Sequence, residues 1–309
     1  MINSFNEWDP LKRVIVGVAD YANWPINDPV FSLESQKTTW KETPVPSGAV
    51  PQWIIDEANE DLQILSDTLT NLGVDVIRPY KFDFQSENGM YNYCPRDRFL
   101  VVGEYIIDVP MMYPCRDMEM MSYDSVLSAT SKYVAMPREF NGEKLILDAA
   151  NVLRLGSDKM LFLESASGNR AAYKWLCNRF PDVTIELCNF YSGVHIDSTI
   201  VALREGLVLL NASRVNESNC PKVFADWEKI FVDDVVPQNF YQYPYASKWI
   251  ALNMLSVDPQ TVILDSRQSS LACILEKKGF RTIPLDLRHS RTLGGGFHCV
   301  TLDLIRHHS

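Results

Sequence analysis

The chain carries a few residues of chemically useful type in five short segments. They are Asp97 in CPRDR, Asp148 in LDAAN, His195 and Asp197 in GVHIDS, Ser247 in YASKW and Cys299 in GGGFHC. From Asp97 to Asp148, His195, Ser247 and Cys299 the steps are 51, 47, 52 and 52 residues. A cysteine attacks as its thiolate, and a free thiol has a pKa near ~8.5. A histidine can take and return protons near neutral pH. Three aspartates would make a shared site acidic, which disfavours a thiolate in the empty site and favours a cationic substrate. A guanidinium fits that description: it is planar, permanently charged and pairs bidentately with carboxylates. Asp148 lies in the apolar run LILDAANVL, where an unpaired carboxylate is costly to bury, so it calls for a cationic partner. Three glycines ahead of Phe297, His298 and Cys299 would let backbone approach a ligand closely. Each residue has an ordinary reading alone, such as a core thiol, a core histidine or a plain turn. The matched spacing favours the functional one.

Equal spacing implies equivalent elements around each residue. One pattern recurs: two β-rich runs joined by a turn, an amphipathic helix, then a third β-rich run. NVLRLGSDKMLFLES turns at Gly156, Ser157 and Asp158, and is followed by a helix over 169–180 and the strand VTIELCN. STIVALREGLVLLN turns at Glu205 and Gly206, then come a helix in PKVFADWEKIF and the strand FVDDVV. A further copy runs WIALNMLSVDPQTVILDS, SLACILEKKG, RTIPLD. Upstream, FLVVGEYIIDV turns at Gly103 and Glu104, with a helix over 118–131 and the strand KYVAM. The fifth copy is split: CVTLDLI at the C-terminus pairs with KRVIVGV near the N-terminus, with a helix over 54–72 and the strand VDVIRP. Starts at 99, 151, 198, 249 and 299 define a period of about 50 residues, the mark of a repeat architecture. Pairing of the first and last strands would close a ring and remove open sheet edges. Equivalent residues of each unit would then converge on one central site. The expectation is a single α/β domain over 1–309 with no linker.

Bulk composition agrees with an enzyme of small molecules. The 309 residues are 46% hydrophobic with a formal charge of -10, so the chain can bury a large core and repels nucleic acid and anionic membranes. No apolar stretch reaches the roughly 18 residues needed to span a bilayer. The start, MINSFNEWDPLKRV, lacks the order of a signal peptide. Seven cysteines without a CxxC pair read as reduced thiols in the cytoplasm. Cysteines and histidines do not cluster at zinc-ligand spacing, so no metal is expected.

At these residues the sequence resembles the amidinotransferase family, which includes arginine:glycine amidinotransferase and its aminocyclitol relatives. The match runs through NEWDPLKRVIVG, PRDRFLVVG, LDAANVLR, HIDST, LVLLNASR, ASKWIALNML and LGGGFHCVTLDL. The resemblance implies the five-bladed α/β-propeller (pentein) of guanidine-modifying enzymes, built of ββαβ units. It implies Cys299 as nucleophile, His195 as general acid/base, and Asp148 as the residue that orients His195 and holds the guanidinium. Asp97 and Asp197 would bind substrate, Arg214 in NASR would hold the arginine carboxylate, and Ser247 would touch the substrate backbone. The implied reaction is ping-pong, from L-arginine through an amidino-cysteine to a primary amine, releasing L-ornithine, with no cofactor. Ala246 stands where the glycine-specific enzyme has a serine. Ser192, Gly193 and Val194 replace the Asn-Pro-Met of that enzyme. These four positions are therefore expected to set the acceptor: glycine, lysine or another amino acid, an aminocyclitol or a natural-product intermediate. The alternatives are a guanidino hydrolase of the same fold, of arginine deiminase or methylarginine hydrolase type, and a non-catalytic guanidino-binding protein. A cytoplasmic homodimer is the expected form.

Overall fold

The computed structural model describes residues 2–28, 30–31, 45–128, 130–190 and 195–307. Five three-stranded sheets of identical topology dominate it. The first joins Thr301–Arg306, Leu11–Val16 and Asp75–Ile77; the second joins Phe99–Val102, Tyr105–Asp108 and Tyr133–Ala135. The third is Val152–Arg154, Lys159–Leu163 and Thr184–Cys188. The fourth is Ile200–Arg204, Leu207–Asn211 and Glu228–Val232, and the fifth is Leu255–Asp258, Thr261–Asp265 and Arg281–Leu285. In every sheet the middle strand is antiparallel to the first strand and parallel to the third. The hairpin turns use Gly103 (φ 57°) and Gly206 (φ 78°), a left-handed conformation that only glycine adopts cheaply.

Strand alternation decides how the sheets pack. Phe99, Val101 and Ile106 face Ile15, Leu302 and Leu304 of the first sheet, whereas Leu100 and Ile107 face Val152, Met160 and Phe162 of the third. Leu153, Leu161 and Leu163 meet Ile200, Val208 and Leu210, and Val201, Leu203 and Leu209 meet Val262 and Leu264. Leu255, Val257 and Ile263 of the fifth sheet then pack with Val14 and Val16 of the first. Each such side chain, buried fully, contributes about 1.5–3 kcal/mol. Helices cover the outer faces where they form. Gln52–Asn71 buries Ile54, Ile55, Ala58, Leu62, Leu65 and Leu69, one helical stripe. Arg170–Arg179 starts where the Asn169 side chain accepts from Ala172 N–H at 2.9 Å.

Three expectations need correction. The helix expected in PKVFADWEKIF is a single 3₁₀ turn, Lys222–Phe224, and the strand begins at Glu228. Trp227 packs edge-on with both Trp8 and Phe224, and Ile230 and Val232 alternate inward, so an apolar spacing that suits a helix is used by a turn and a strand. The helix expected over 118–131 is instead a 3₁₀ helix, Pro114–Tyr123, followed by Asp124–Ser128. Its buried residues Arg116, Glu119 and Ser122 recur every third position, the period of a 3₁₀ helix. The terminal strands do pair, in register Val14 with Asp303 and Val16 with Thr301. Yet the sheets are not hydrogen-bonded into one closed sheet among the described residues, so each keeps its own edges. The N-terminal segment ties three of them together: Asn3 bridges Ile305, Ser4 bridges Gly103 and Asn6 bridges Leu155.

Candidate active site

The five segments occupy equivalent places, each just before the first strand of a sheet. Asp97 sits in the short helix Pro95–Arg98, and Asp148 immediately precedes the 3₁₀ turn Ala149–Asn151. His195 and Asp197 lie in the loop before Ile200, Ser247 caps the 3₁₀ turn Lys248–Leu252, and Cys299 precedes Thr301.

Cys299, His195, Asp148, Asp97 and Asp197 form one buried network. His195 Nε2 lies 3.1 Å from Asp148 Oδ2, and Nδ1 lies 3.6 Å from Asp97 Oδ1. The other Asp148 oxygen accepts from Met112 N–H at 2.9 Å. The Cys299 thiol donates to Asp197 Oδ2 at 3.3 Å. His195 adopts φ 60°, a costly conformation for a non-glycine residue. Its N–H is held by Asn151 Oδ1 at 3.2 Å. Arg116 Nη1 binds Asp97 Oδ2 at 2.8 Å, while its Nε and Nη2 bind Glu119 at 2.5 and 3.0 Å. Asp97 Oδ1 is buried and accepts no hydrogen bond.

Titration follows from this crowding of carboxylates. Burial works to lower the His195 pKa, but Asp97, Asp148 and Cys299 outweigh it and hold the imidazolium well above the usual range. The Cys299 thiol is pushed well above its usual value by its hydrogen bond with Cys94, by burial and by Asp197. Burial raises Asp97 despite His195 and Arg116. These directions favour a neutral thiol beside a protonated histidine, set among three buried aspartates.

Arg214 and Ser247 are held by other contacts. Arg214 Nη1 donates to Thr199 Oγ1 at 2.7 Å. Ser247 is exposed, and its hydroxyl accepts from Trp249 N–H at 3.3 Å. Ala246 is half-buried, and its N–H donates to Arg291 C=O at 3.2 Å. Ser192, Gly193 and Val194 lie outside the described residues. Among those described, no group of three or more His, Cys, Asp or Glu is placed to hold a metal ion, and no helix is long and apolar enough to cross a membrane.

An inosamine-phosphate amidinotransferase from Streptomyces griseus is 40% identical over 99% of this chain and 97% of its own length. The chain belongs to the amidinotransferase family. A glycine amidinotransferase from Xenopus tropicalis is 30% identical over 98% of the chain and 82% of its own length. A solved structure of an inosamine-phosphate amidinotransferase from Streptomyces griseus matches with a TM-score of 0.91 and 38% identity, covering 100% of this chain and 98% of that one. An amidinotransferase from Microseira wollei in the saxitoxin biosynthetic pathway matches with a TM-score of 0.87 and 28% identity over the same shares. No protein-family model matches the chain.

Several residues of this amidinotransferase site escape a reading by sequence spacing. Asn253 Oδ1 accepts from Cys299 N–H at 2.9 Å, its C=O accepts from His298 N–H at 3.3 Å, and its Nδ2 donates to Asp197 C=O at 3.3 Å. Cys94 meets Cys299 thiol to thiol. An amide in the apolar run ALNML was the available signal for Asn253, on the same cost argument that singled out Asp148. Cys94 offered none. Two of the glycines make room for the protein itself. A Cβ on Gly295 would lie 2.4 Å from Cys94 Sγ and 3.1 Å from Cys299 Cβ, and one on Gly296 would lie 2.7 Å from Asn253 Cβ. They let the Cys299 loop close against its neighbours.

Proposed function

We propose that this chain moves the amidino group of L-arginine to a primary amine through a covalent intermediate on Cys299. The observation that carries the reading is that Cys299 and His195 lie against three buried carboxylates, Asp97, Asp148 and Asp197. Asp97, Asp148 and Asp197 would bind the guanidinium, with Arg214 on the arginine carboxylate and Ser247 on its backbone. The incoming cation lowers the thiol pKa, the Cys299 thiol loses its proton to solvent, and the substrate so helps to activate its own attacker. Cys299 Sγ attacks the guanidino carbon, His195 gives its proton to the departing amine, and the C–N bond breaks to release ornithine. The acceptor amine then gives a proton to His195 and attacks the amidino carbon, the C–S bond breaks, and the released Cys299 thiolate takes a proton back from solvent. Asp148 keeps His195 oriented throughout and favours its charged form.

Higher identity to the inosamine-phosphate enzyme than to the glycine enzyme, together with Ala246, favours an aminocyclitol amine over glycine as acceptor. Ser192, Gly193 and Val194 are proposed to line the acceptor's side of the site. Cyclic packing of the five sheets, with the fifth against the first, supports a five-bladed α/β-propeller formed by 1–309 as one domain. A cytoplasmic homodimer is the proposed form, and sedimentation equilibrium reads its mass.

The test is incubation with arginine, with and without candidate amines. Ornithine release, and a mass increase on Cys299 with arginine alone, are the expected results. Citrulline as the product would overturn transfer in favour of hydrolysis. Tight arginine binding without turnover by any amine would point to a binding protein. A thiol pKa unmoved by a bound guanidino ligand would end the substrate-activation step.

A further inference from the structure

His298 takes no part in the reaction just described, yet it is fixed more firmly than His195. Its ring is buried between two carboxylates: Nδ1 lies 2.8 Å from Asp197 Oδ2 and Nε2 lies 3.1 Å from Glu7 Oε2. Its N–H is bound by Asn253 C=O, and its own C=O accepts from Arg96 Nε at 3.2 Å. Glu7 is held in turn by Arg154 at 2.9 and 2.7 Å, so the ring has no freedom to swing. A neutral imidazole has one N–H and one lone pair. Set between two carboxylates, it would turn that lone pair on one of them. Both nitrogens must therefore donate, which makes His298 an imidazolium.

We propose that His298 is a positioning residue for substrate binding: its Nδ1–H clamps Asp197 as an ionised carboxylate, with Oδ2 turned to the Cys299 thiol, so that an arriving guanidinium meets a ready-made anion. The proposal rests on reading Asp197 as a guanidinium ligand. Asp197 faces His298 and Cys299 from the segment before the first sheet, Asn253 from the segment before the fifth, and His195 on its own loop. His298 faces Glu7 and Arg96 besides. Burial pushes the Asp197 pKa up, but the His298 hydrogen bond and charge lead the groups that bring it below the usual range. Burial and Arg96 act to lower His298, and Asp197 with Glu7 reverses this.

The amide nitrogen of asparagine can replace Nδ1 of histidine, and that of glutamine can replace Nε2. His298→Asn therefore keeps the donor to Asp197, and His298→Gln keeps only the link to Glu7. Arginine affinity is measured against pH by calorimetry on the full chain carrying Cys299→Ser, which keeps a donor toward Asp197 and stops turnover. With His298→Gln the acid limb of affinity moves up by about one pH unit, a tenfold loss below it. With His298→Asn the limb stays near its original position. If both variants shift alike, or neither shifts, while Asp197→Asn abolishes binding, the clamp is wrong. If Asp197→Asn binds arginine normally, the reading of Asp197 as a ligand fails instead. Nitrogen NMR of the wild-type chain labelled in histidine provides a check free of any folding defect. His298 Nδ1 must carry a proton at neutral pH, and a bare Nδ1 overturns the proposal.

Discussion

Two clusters of buried charge lie side by side, joined through His298, and they are balanced in opposite ways. In one, Glu7 and Asp303 are surrounded by Arg96, Arg154 and Arg306. Ser4 and the backbone carbonyls of Asp9, Ser256, His298 and Thr301 accept further guanidinium protons. In the other, Asp97, Asp148, Asp197 and Glu119 share Arg116, His195 and a His298 already held by Glu7. Burial opposes ionisation in both. In the first cluster Arg154 and its neighbours overcome that cost and hold Glu7 and Asp303 far below the usual carboxylate range. In the second, burial wins at Asp97, and Glu119 is raised to about 7. A buried ion set with its cations built in is complete in itself. One left rich in acid suits the proposed receptor for a cation from outside.

The comparison can be broken at several points. Asp148→Asn should cut ornithine release by about 10²–10⁴-fold and change the unfolding free energy by less than about 1 kcal/mol. A large loss of stability would make Asp148 part of the scaffold instead. Arg154→Met should do the reverse, costing about 3–5 kcal/mol in urea denaturation because two buried carboxylates lose their main partner. A neutral outcome would show that the first cluster is dispensable.

The pH dependence of stability tests the opposite shifts. Glu119 has its folded pKa raised from 4.5 to about 7, so the folded state binds the extra proton between those values. Its contribution is present below the unfolded value and is lost as pH rises through that window. Glu119→Gln should flatten that part of the stability curve. Glu7 and Asp303, with lowered values, contribute stability above the unfolded carboxylate range and lose it only in strong acid. The smallest effect concerns Cys94, whose hydrogen bond leads the causes that raise the Cys299 thiol. Cys94→Ala should speed Cys299 alkylation a few-fold at mildly alkaline pH, and an unchanged rate would remove Cys94 from the account.

Much of this was legible in the chain. Short β-rich runs identify four hairpins, three of them turning at Gly103, Gly156 or Gly206, and the pairing of the terminal strands follows from the repeat. The runs are conspicuous because strands packed on both faces are apolar almost throughout. The 50-residue repeat and the apolar setting of Asp148 point to one shared centre. Spacing could not distinguish the 3₁₀ helix Pro114–Tyr123 and the turn Lys222–Phe224 from α-helices, since inward-facing side chains at every third or fourth position fit both. The tight packing of GGG was not legible, because a glycine's neighbour is a tertiary fact: Gly295 makes way for Cys94, which is 201 residues earlier in the chain.

By itself the sequence determined which residue types recur at matched positions, and hence that a thiol, a histidine and several carboxylates are available for one site. Only the tertiary structure decided how those charges are shared. It bound Asp97 to Arg116, Asp148 to His195 and Asp197 to His298, and it gave Glu7 and Asp303 the arginines that complete the neighbouring cluster. The physical reason is distance. Whether a carboxylate is neutralised or left as a receptor depends on a few ångströms between side chains far apart in sequence, and the order of residues along the chain does not encode that distance locally.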